Sequence, residues 1–121
     1  IKELFVPGNV KSLRNMFAKC LRLKKVVLGE GIEEIMWGCF IDCISLKFIE
    51  IPKTVKFIED NCFNGCDNLK TINYGGTKDD WFKLENAKDE KFSYYKSLQL
   101  SKNSKVKIIC TDGVIEPSEN T

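Results

Sequence analysis

The chain has 121 residues, with 19 Lys and Arg against 17 Asp and Glu, a net charge of +2 and no histidine. This length suits a single domain, and the interspersed charges make nucleic acid an unexpected partner. No apolar run approaches the roughly 20 residues that span a bilayer, so direct membrane insertion is not expected either. Without histidine, Ser-His-Asp and Cys-His catalysis are excluded, and no phosphate-binding glycine loop occurs. We predict a protein that is not an enzyme, with no catalytic residues, metal ligands or cofactor.

A repeat begins with the first residues of the chain. Residues 1–7 align in their apolar and proline positions with residues 46–52. This alignment predicts a strand at Glu3–Val6 within a partial first coil. Because the chain starts inside a repeat and not at Met, we interpret it as the C-terminal piece of a longer protein.

Three further coils follow at residues 10–31, 32–54 and 55–77, with an offset of 23 residues between matched positions, except that the copy at Val10 is one residue shorter between Leu13 and Phe17. Phe17, Phe40 and Phe63 occupy one of these positions. Apolar residues two apart place one strand in each coil, near Lys25–Leu28, Phe48–Ile51 and Thr71–Tyr74. Each coil opens with a segment of the V-x-x-I type, at residues 10–13, 32–35 and 55–58. These V-x-x-I segments are expected to return the chain on the convex side as short strands or 3₁₀ turns. A fixed period of this size indicates a leucine-rich-repeat solenoid, with the phenylalanines stacked inside it.

The cysteines follow the same period. Cys20, Cys43 and Cys66 form one column, and Cys39 and Cys62 form another. Equivalent side chains in adjacent coils lie about 4.8 Å apart, slightly beyond the spacing that a disulfide prefers. Buried free thiols are the favoured interpretation, with disulfides as the alternative.

After residue 77 the period stops, and we assign residues 78–121 to a capping segment of the same structural unit. Thr77 and Asp80 predict a helix start, and the helix is expected to run from 78 to about 86 with Trp81 over Leu69 and Ile72. Residues 87–91 are expected to form a loop. Alternating apolar residues predict strands at 98–100 and 105–110, the second extending the concave sheet. Asp112-Gly113 is predicted to be a turn, and residues 116–121 are predicted to be a frayed end or a linker.

Outward-facing positions on the concave strands supply the candidate binding residues. One row holds Glu3, Lys25, Phe48 and Thr71, and the next holds Phe5, Val27, Glu50 and Asn73. An exposed apolar cluster of Phe5, Val27 and Phe48, rimmed by charge, would mark a partner site. The predicted ligand-binding residues are Phe5, Lys25, Val27, Phe48, Glu50, Thr71 and Asn73. Cover by upstream repeats or by a neighbouring molecule is the alternative explanation.

Residues 40–58 read F-x-x-C-x-x-L-x-x-I-x-I-P-x-x-V-x-x-I, and residues 76–81 and 110–113 read G-T-x-x-x-W and C-T-D-G. These motifs resemble the BspA-type leucine-rich repeats. The resemblance implies an α+β, β-rich solenoid with a concave parallel sheet and a C-terminal helix-plus-strand cap. It also implies an extracellular or cell-surface protein that binds protein ligands, extracellular-matrix or host surface proteins among them, and supports adhesion. The alternative is a structural spacer and cap of a longer multidomain protein, without a ligand of its own. Oligomeric state is not predicted.

Overall fold

A computed structural model describes residues 2–36, 38–59, 62–84 and 106–116 of the chain. The elements within these ranges alternate between two parallel sheets before a short helix begins the cap. They are β1 (Glu3–Val6), a 3₁₀ turn (Gly8–Val10), β2 (Ser12–Arg14), β3 (Lys25–Leu28), β4 (Glu34–Met36), β5 (Phe48–Ile51), β6 (Phe57–Ile58), β7 (Thr71–Tyr74), α1 (Lys78–Phe82), β8 (Lys107–Cys110) and β9 (Gly113–Ile115).

The larger sheet, called the concave sheet below, has the strand order β1-β3-β5-β7-β8-β9. Its first five strands are parallel, and Glu3, Lys25, Phe48, Thr71 and Lys107 follow one another in register. The strands predicted at Glu3–Val6, Lys25–Leu28, Phe48–Ile51 and Thr71–Tyr74 are confirmed. The solenoid fold is therefore confirmed as well.

The V-x-x-I segments form the second sheet, in which β2, β4 and β6 are parallel. Leu13, Ile35 and Ile58 occupy equivalent positions in this sheet and are buried. Each coil thus contributes a strand to both sheets, and the core lies between them. The prediction of short strands or 3₁₀ turns on the convex side is confirmed.

An aromatic spine of Phe17, Phe40 and Phe63 runs along this core. The Phe40 ring stacks on both neighbours, with centroids 5.6 Å from Phe17 and 5.7 Å from Phe63. Phe40 and Phe63 are fully buried, whereas Phe17 is half-buried in the first described coil that carries the motif. The predicted stack is confirmed.

The six cysteines are free thiols, five of them buried and Cys20 half-buried. The Cys43 thiol donates to the Phe17 carbonyl at 3.0 Å, and the Cys66 thiol donates to the Phe40 carbonyl at 3.0 Å. Each of these thiols therefore bonds to the backbone of the preceding coil, which joins the cysteine column to the aromatic spine. This geometry favours the buried free thiols predicted from the repeat.

Helix α1 begins with the predicted capping box. The Asp80 N–H donates to Thr77 Oγ1 at 3.1 Å, and the Thr77 N–H donates to Asp80 Oδ2 at 3.0 Å. The helix ends at Phe82, short of the predicted end near residue 86. The Lys83 N–H is shared between the carbonyls of Asp79 and Asp80, and the Leu84 N–H donates to the Trp81 carbonyl, so the last turn tightens toward a 3₁₀ helix. Residues 85–105 lie outside the described residues. The predicted 87–91 loop and 98–100 strand cannot therefore be compared with the structure.

Trp81 is buried and meets the Tyr74 ring edge-on, with centroids 5.2 Å apart. This contact places α1 against the last strand of the repeats. The predicted position of Trp81 over Leu69 and Ile72 stays a prediction.

The cap also extends the concave sheet. Strand β8 pairs in parallel with β7, which confirms the predicted extension. The predicted Asp112-Gly113 turn is shifted by one residue: the chain turns at Thr111-Asp112, and Gly113 opens strand β9, which pairs antiparallel with β8. Gly113 has a φ of +144°, a backbone conformation that glycine adopts without strain and other residues rarely do. Residues 117–121 of the predicted frayed end lie outside the described residues.

The G-T and C-T-D-G motifs meet in space. The Thr111 N–H and hydroxyl donate to the Gly76 carbonyl at 2.9 and 3.2 Å, and the Lys78 N–H donates to Asp112 Oδ1 at 2.9 Å. The first free N–H of α1 is thereby satisfied from the β8–β9 turn. These bonds explain why the two motifs belong together: each supplies the polar partners that the other lacks.

Candidate functional site

The outward surface of the concave sheet carries the predicted binding residues in two rows. In the first row Lys25 pairs with Phe48 and Phe48 pairs with Thr71. The second row contains Phe5, Val27, Glu50 and Asn73, again as successive register partners. The structure therefore brings all seven predicted residues onto one surface; that they bind a ligand stays a prediction.

The cap lengthens both rows in a way that the sequence analysis missed. Lys107 joins the first row beside Thr71, and Ile109 joins the second beside Asn73, with Val114 of β9 as its neighbour. The inward alternation of Val106, Ile108 and Cys110 carried the signal for Lys107 and Ile109. Val114 had no comparable signal, because β9 has only three residues and follows a glycine.

In the first row, Lys25 links a carboxylate to an aromatic ring. Its Nζ atom lies 3.9 Å from Glu3 Oε1 and 5.4 Å from the centroid of Phe48. A cation above a ring is attracted by the negative face of the π system. Phe48 is half-buried, so this ring presents less free apolar surface than the sequence suggests.

The second row has apolar ends and a polar centre. Phe5 is 63% exposed and Ile109 is 39% exposed, whereas Val27 is half-buried. Between them, Asn73 Nδ2 donates to Glu50 Oε1 at 3.3 Å. The row therefore offers two exposed apolar groups with a hydrogen-bonding pair between them.

A shallow groove of about 300 Å³ lies where the strands of this surface end. Phe5, Val27, Glu50 and Asn73 line one side, and the turn residues Gly29, Pro52 and Gly75 line the other. These three turn residues carry no long side chains, whereas the neighbouring Glu30 adds a carboxylate to the groove.

The buried thiols do not provide nucleophiles. Burial raises the pKa of Cys43 to about 11 and the pKa values of Cys62 and Cys66 to about 12. These thiols stay protonated at neutral pH, and the thiolate is the reactive form. Among the described residues, no group of three or more Cys, Asp or Glu side chains is arranged to hold a metal ion.

The described ranges also contain no helix with the length and apolar character needed to cross a bilayer.

Comparison with known proteins identifies the repeat. The family model described as "BspA type Leucine rich repeat region (6 copies)" matches residues 11–112. The match continues beyond residue 77 into the segment assigned to the cap. No curated protein and no solved structure matches the chain. Because the matched region covers most of the sequence and the described coils show the corresponding solenoid, the chain belongs to the BspA-type leucine-rich-repeat family.

Proposed function

We propose that this protein is an adhesion module of a cell-surface or secreted protein, and that it binds extracellular-matrix or host surface proteins through the concave sheet. The observation that carries the proposal is Phe5, which is 63% exposed although it lies on a hydrogen-bonded strand. Large aromatic side chains held on rigid elements are favoured anchors at protein interfaces.

The surroundings of Phe5 support the same assignment. Val27 is its register partner, and charged or polar side chains of the first row lie beside this apolar pair. An apolar centre with a polar rim is the usual organisation of a protein interface. The groove beside Phe5 adds depth to an otherwise open surface.

A binding screen with a matched aromatic control tests the proposal. The wild-type chain is presented to immobilised extracellular-matrix and cell-surface proteins, together with the variants Phe5→Glu and Phe82→Glu. Phe82 is the appropriate control because it is 53% exposed but lies on α1 and not on the concave sheet. Circular dichroism before the screen establishes that both variants are folded.

We expect at least one saturable ligand whose affinity falls about tenfold or more in Phe5→Glu, the loss typical of a hot-spot aromatic, and is unchanged in Phe82→Glu. Equal losses in both variants would contradict a binding surface on the concave sheet. The absence of any ligand would favour the spacer-and-cap interpretation.

A further inference from the structure

The repeat collects four lysines into one column at the edge where the concave strands begin. Along the sequence the positive and negative residues are interspersed, so this column is not visible without the register. Backbone hydrogen bonds from Lys24 to Lys2, Lys47 to Lys24 and Lys70 to Lys47 measure 2.8, 2.9 and 2.9 Å. The lysine column (Lys2, Lys24, Lys47 and Lys70) therefore occupies equivalent positions in four successive coils, about 4.8 Å apart.

All four residues of the lysine column are exposed. Three carboxylates lie within three residues of the lysine column in the sequence: Glu3, which Lys25 engages at 3.9 Å, Glu50 and Asp67. These three carboxylates do not neutralise the five ammonium groups of the column and Lys25. Like charges at directly opposed positions destabilise a sheet, so the column does not serve the stability of the fold.

Protection of an exposed sheet edge does not explain the column either. Lysines on edge strands discourage association between sheets. Only Lys2 adjoins the edge strand β1, whereas Lys24, Lys47 and Lys70 precede strands that are paired on both sides. The repeated charge in the interior coils is better explained by a ligand.

The column runs parallel to the apolar groups of the second row. Lys24 lies immediately before β3 and Val27 lies within it, so their Cα atoms are about 10 Å apart where the intervening chain is extended. This separation is close to the roughly 10–12 Å diameter of an α-helix with its side chains. A helix lying across the strands would meet the lysine column along one side and Phe5 and Ile109 along the other.

We propose that the ligand of the concave sheet is an acidic amphipathic protein segment, with its carboxylates on the lysine column and its apolar face on Phe5 and Ile109. This inference rests on the proposed function and specifies the chemistry of the partner. A sulfated polysaccharide has anionic groups for the lysine column but no aliphatic side chains to pack against Ile109. Single-stranded nucleic acid is bound by a series of aromatic platforms on which successive bases stack, whereas the described part of this surface has one freely exposed ring, Phe5, because the Phe48 ring already faces Lys25.

Titration with defined probes tests the inference. The probes are a synthetic helical peptide with glutamate on one side and leucine on the other, a scrambled peptide of the same composition, heparin and poly-dT. Their affinities are measured by isothermal titration calorimetry at low ionic strength, where exposed charges are least screened. The lysine column variant is Lys24→Gln/Lys47→Gln/Lys70→Gln. Its matched control is Lys11→Gln/Lys56→Gln/Lys83→Gln, which removes three exposed lysines outside the concave sheet.

The helical peptide is expected to bind more tightly than its scrambled form. Its affinity should fall about tenfold in the lysine column variant, and more steeply than in the control, because each exposed ion pair contributes modestly and three are removed together. Equal losses in both lysine variants would overturn the inference, since they would report net charge alone. Tighter binding of heparin or poly-dT, with the same dependence on the column, would overturn the choice of a protein ligand.

The adhesion screen separates this inference from the function on which it rests. A matrix protein that loses affinity in Phe5→Glu but not in the lysine column variant would overturn the acidic-segment inference and leave the adhesion proposal standing. If the helical peptide binds and loses affinity in the lysine column variant, but no protein in the screen binds, the result would support the acidic-segment inference and contradict the adhesion role.

Discussion

Replacing Phe40 by alanine should destabilise the protein far more than the same change at Phe17. Phe40 is fully buried and stacks on two rings, at 5.6 and 5.7 Å, whereas Phe17 is half-buried and stacks on one. A buried Phe→Ala change costs about 3–5 kcal/mol, and each aromatic pair adds about 0.5–1.5 kcal/mol beyond burial. We expect a loss near 5 kcal/mol for Phe40→Ala and about 2 kcal/mol for Phe17→Ala.

Urea unfolding followed by far-UV circular dichroism measures both losses. A domain of this length has a free energy of unfolding of roughly 6–18 kcal/mol, so the Phe17→Ala variant should remain folded and provide the internal reference. Equal losses at the two positions, or a loss below about 2 kcal/mol for Phe40→Ala, would contradict a continuous aromatic spine inside the solenoid.

Three further predictions concern the cap, the thiols and the first turn. Asp112→Ala removes the acceptor of the Lys78 N–H and should cost about 1 kcal/mol in urea unfolding, whereas Asp67→Ala in an exposed turn should cost little. Burial raises the pKa values of Cys62 and Cys66 to about 12 from 9.0, so the unfolded chain loses these thiol protons at lower pH than the folded protein does. The contribution of the two protonated thiols to the free energy of unfolding is therefore complete below about pH 9 and should be lost as the pH rises toward 12. A Cys62→Ala/Cys66→Ala variant should flatten that slope, and an unchanged slope would contradict the assignment to these thiols. A Cβ atom at Gly8 would lie 1.6 Å from the Glu30 carbonyl oxygen, so Gly8→Ala should lower the free energy of unfolding by about 1–3 kcal/mol; a neutral result would exclude this close packing of the first two coils.

The repeat coils could be predicted closely from the sequence because each buried position recurs in the next coil. The period fixes the register, and apolar residues two apart fix the inward face of each strand. The capping box of α1 could be predicted equally well, because Thr77 and Asp80 are three residues apart and each side chain accepts a hydrogen bond from the backbone N–H of the other. The end of the helix was less predictable, because it depends on the hydrogen bonds of Lys83 and Leu84 in the last turn.

Strand β9 and the contacts on the surface could not be predicted from the sequence. Strand β9 is defined by pairing with β8, and its own three residues carry no alternation long enough to predict it. The contact of Lys25 with Phe48 depends on a side-chain rotamer. The lysine column was hidden because its members are separated by 22 or 23 residues and acquire a common position only when the coils stack.

Hydroxyl-radical footprinting of the complex with a matrix protein bound in the screen tests the central claim most directly. The side chains to follow are Phe5 and Ile109 on the concave sheet, with Met16 and Phe82 as exposed references elsewhere. Binding through the concave sheet predicts reduced oxidation at Phe5 and Ile109 and unchanged oxidation at Met16 and Phe82. Protection of Met16 or Phe82, with Phe5 and Ile109 still fully oxidised, would contradict the assignment of the binding surface.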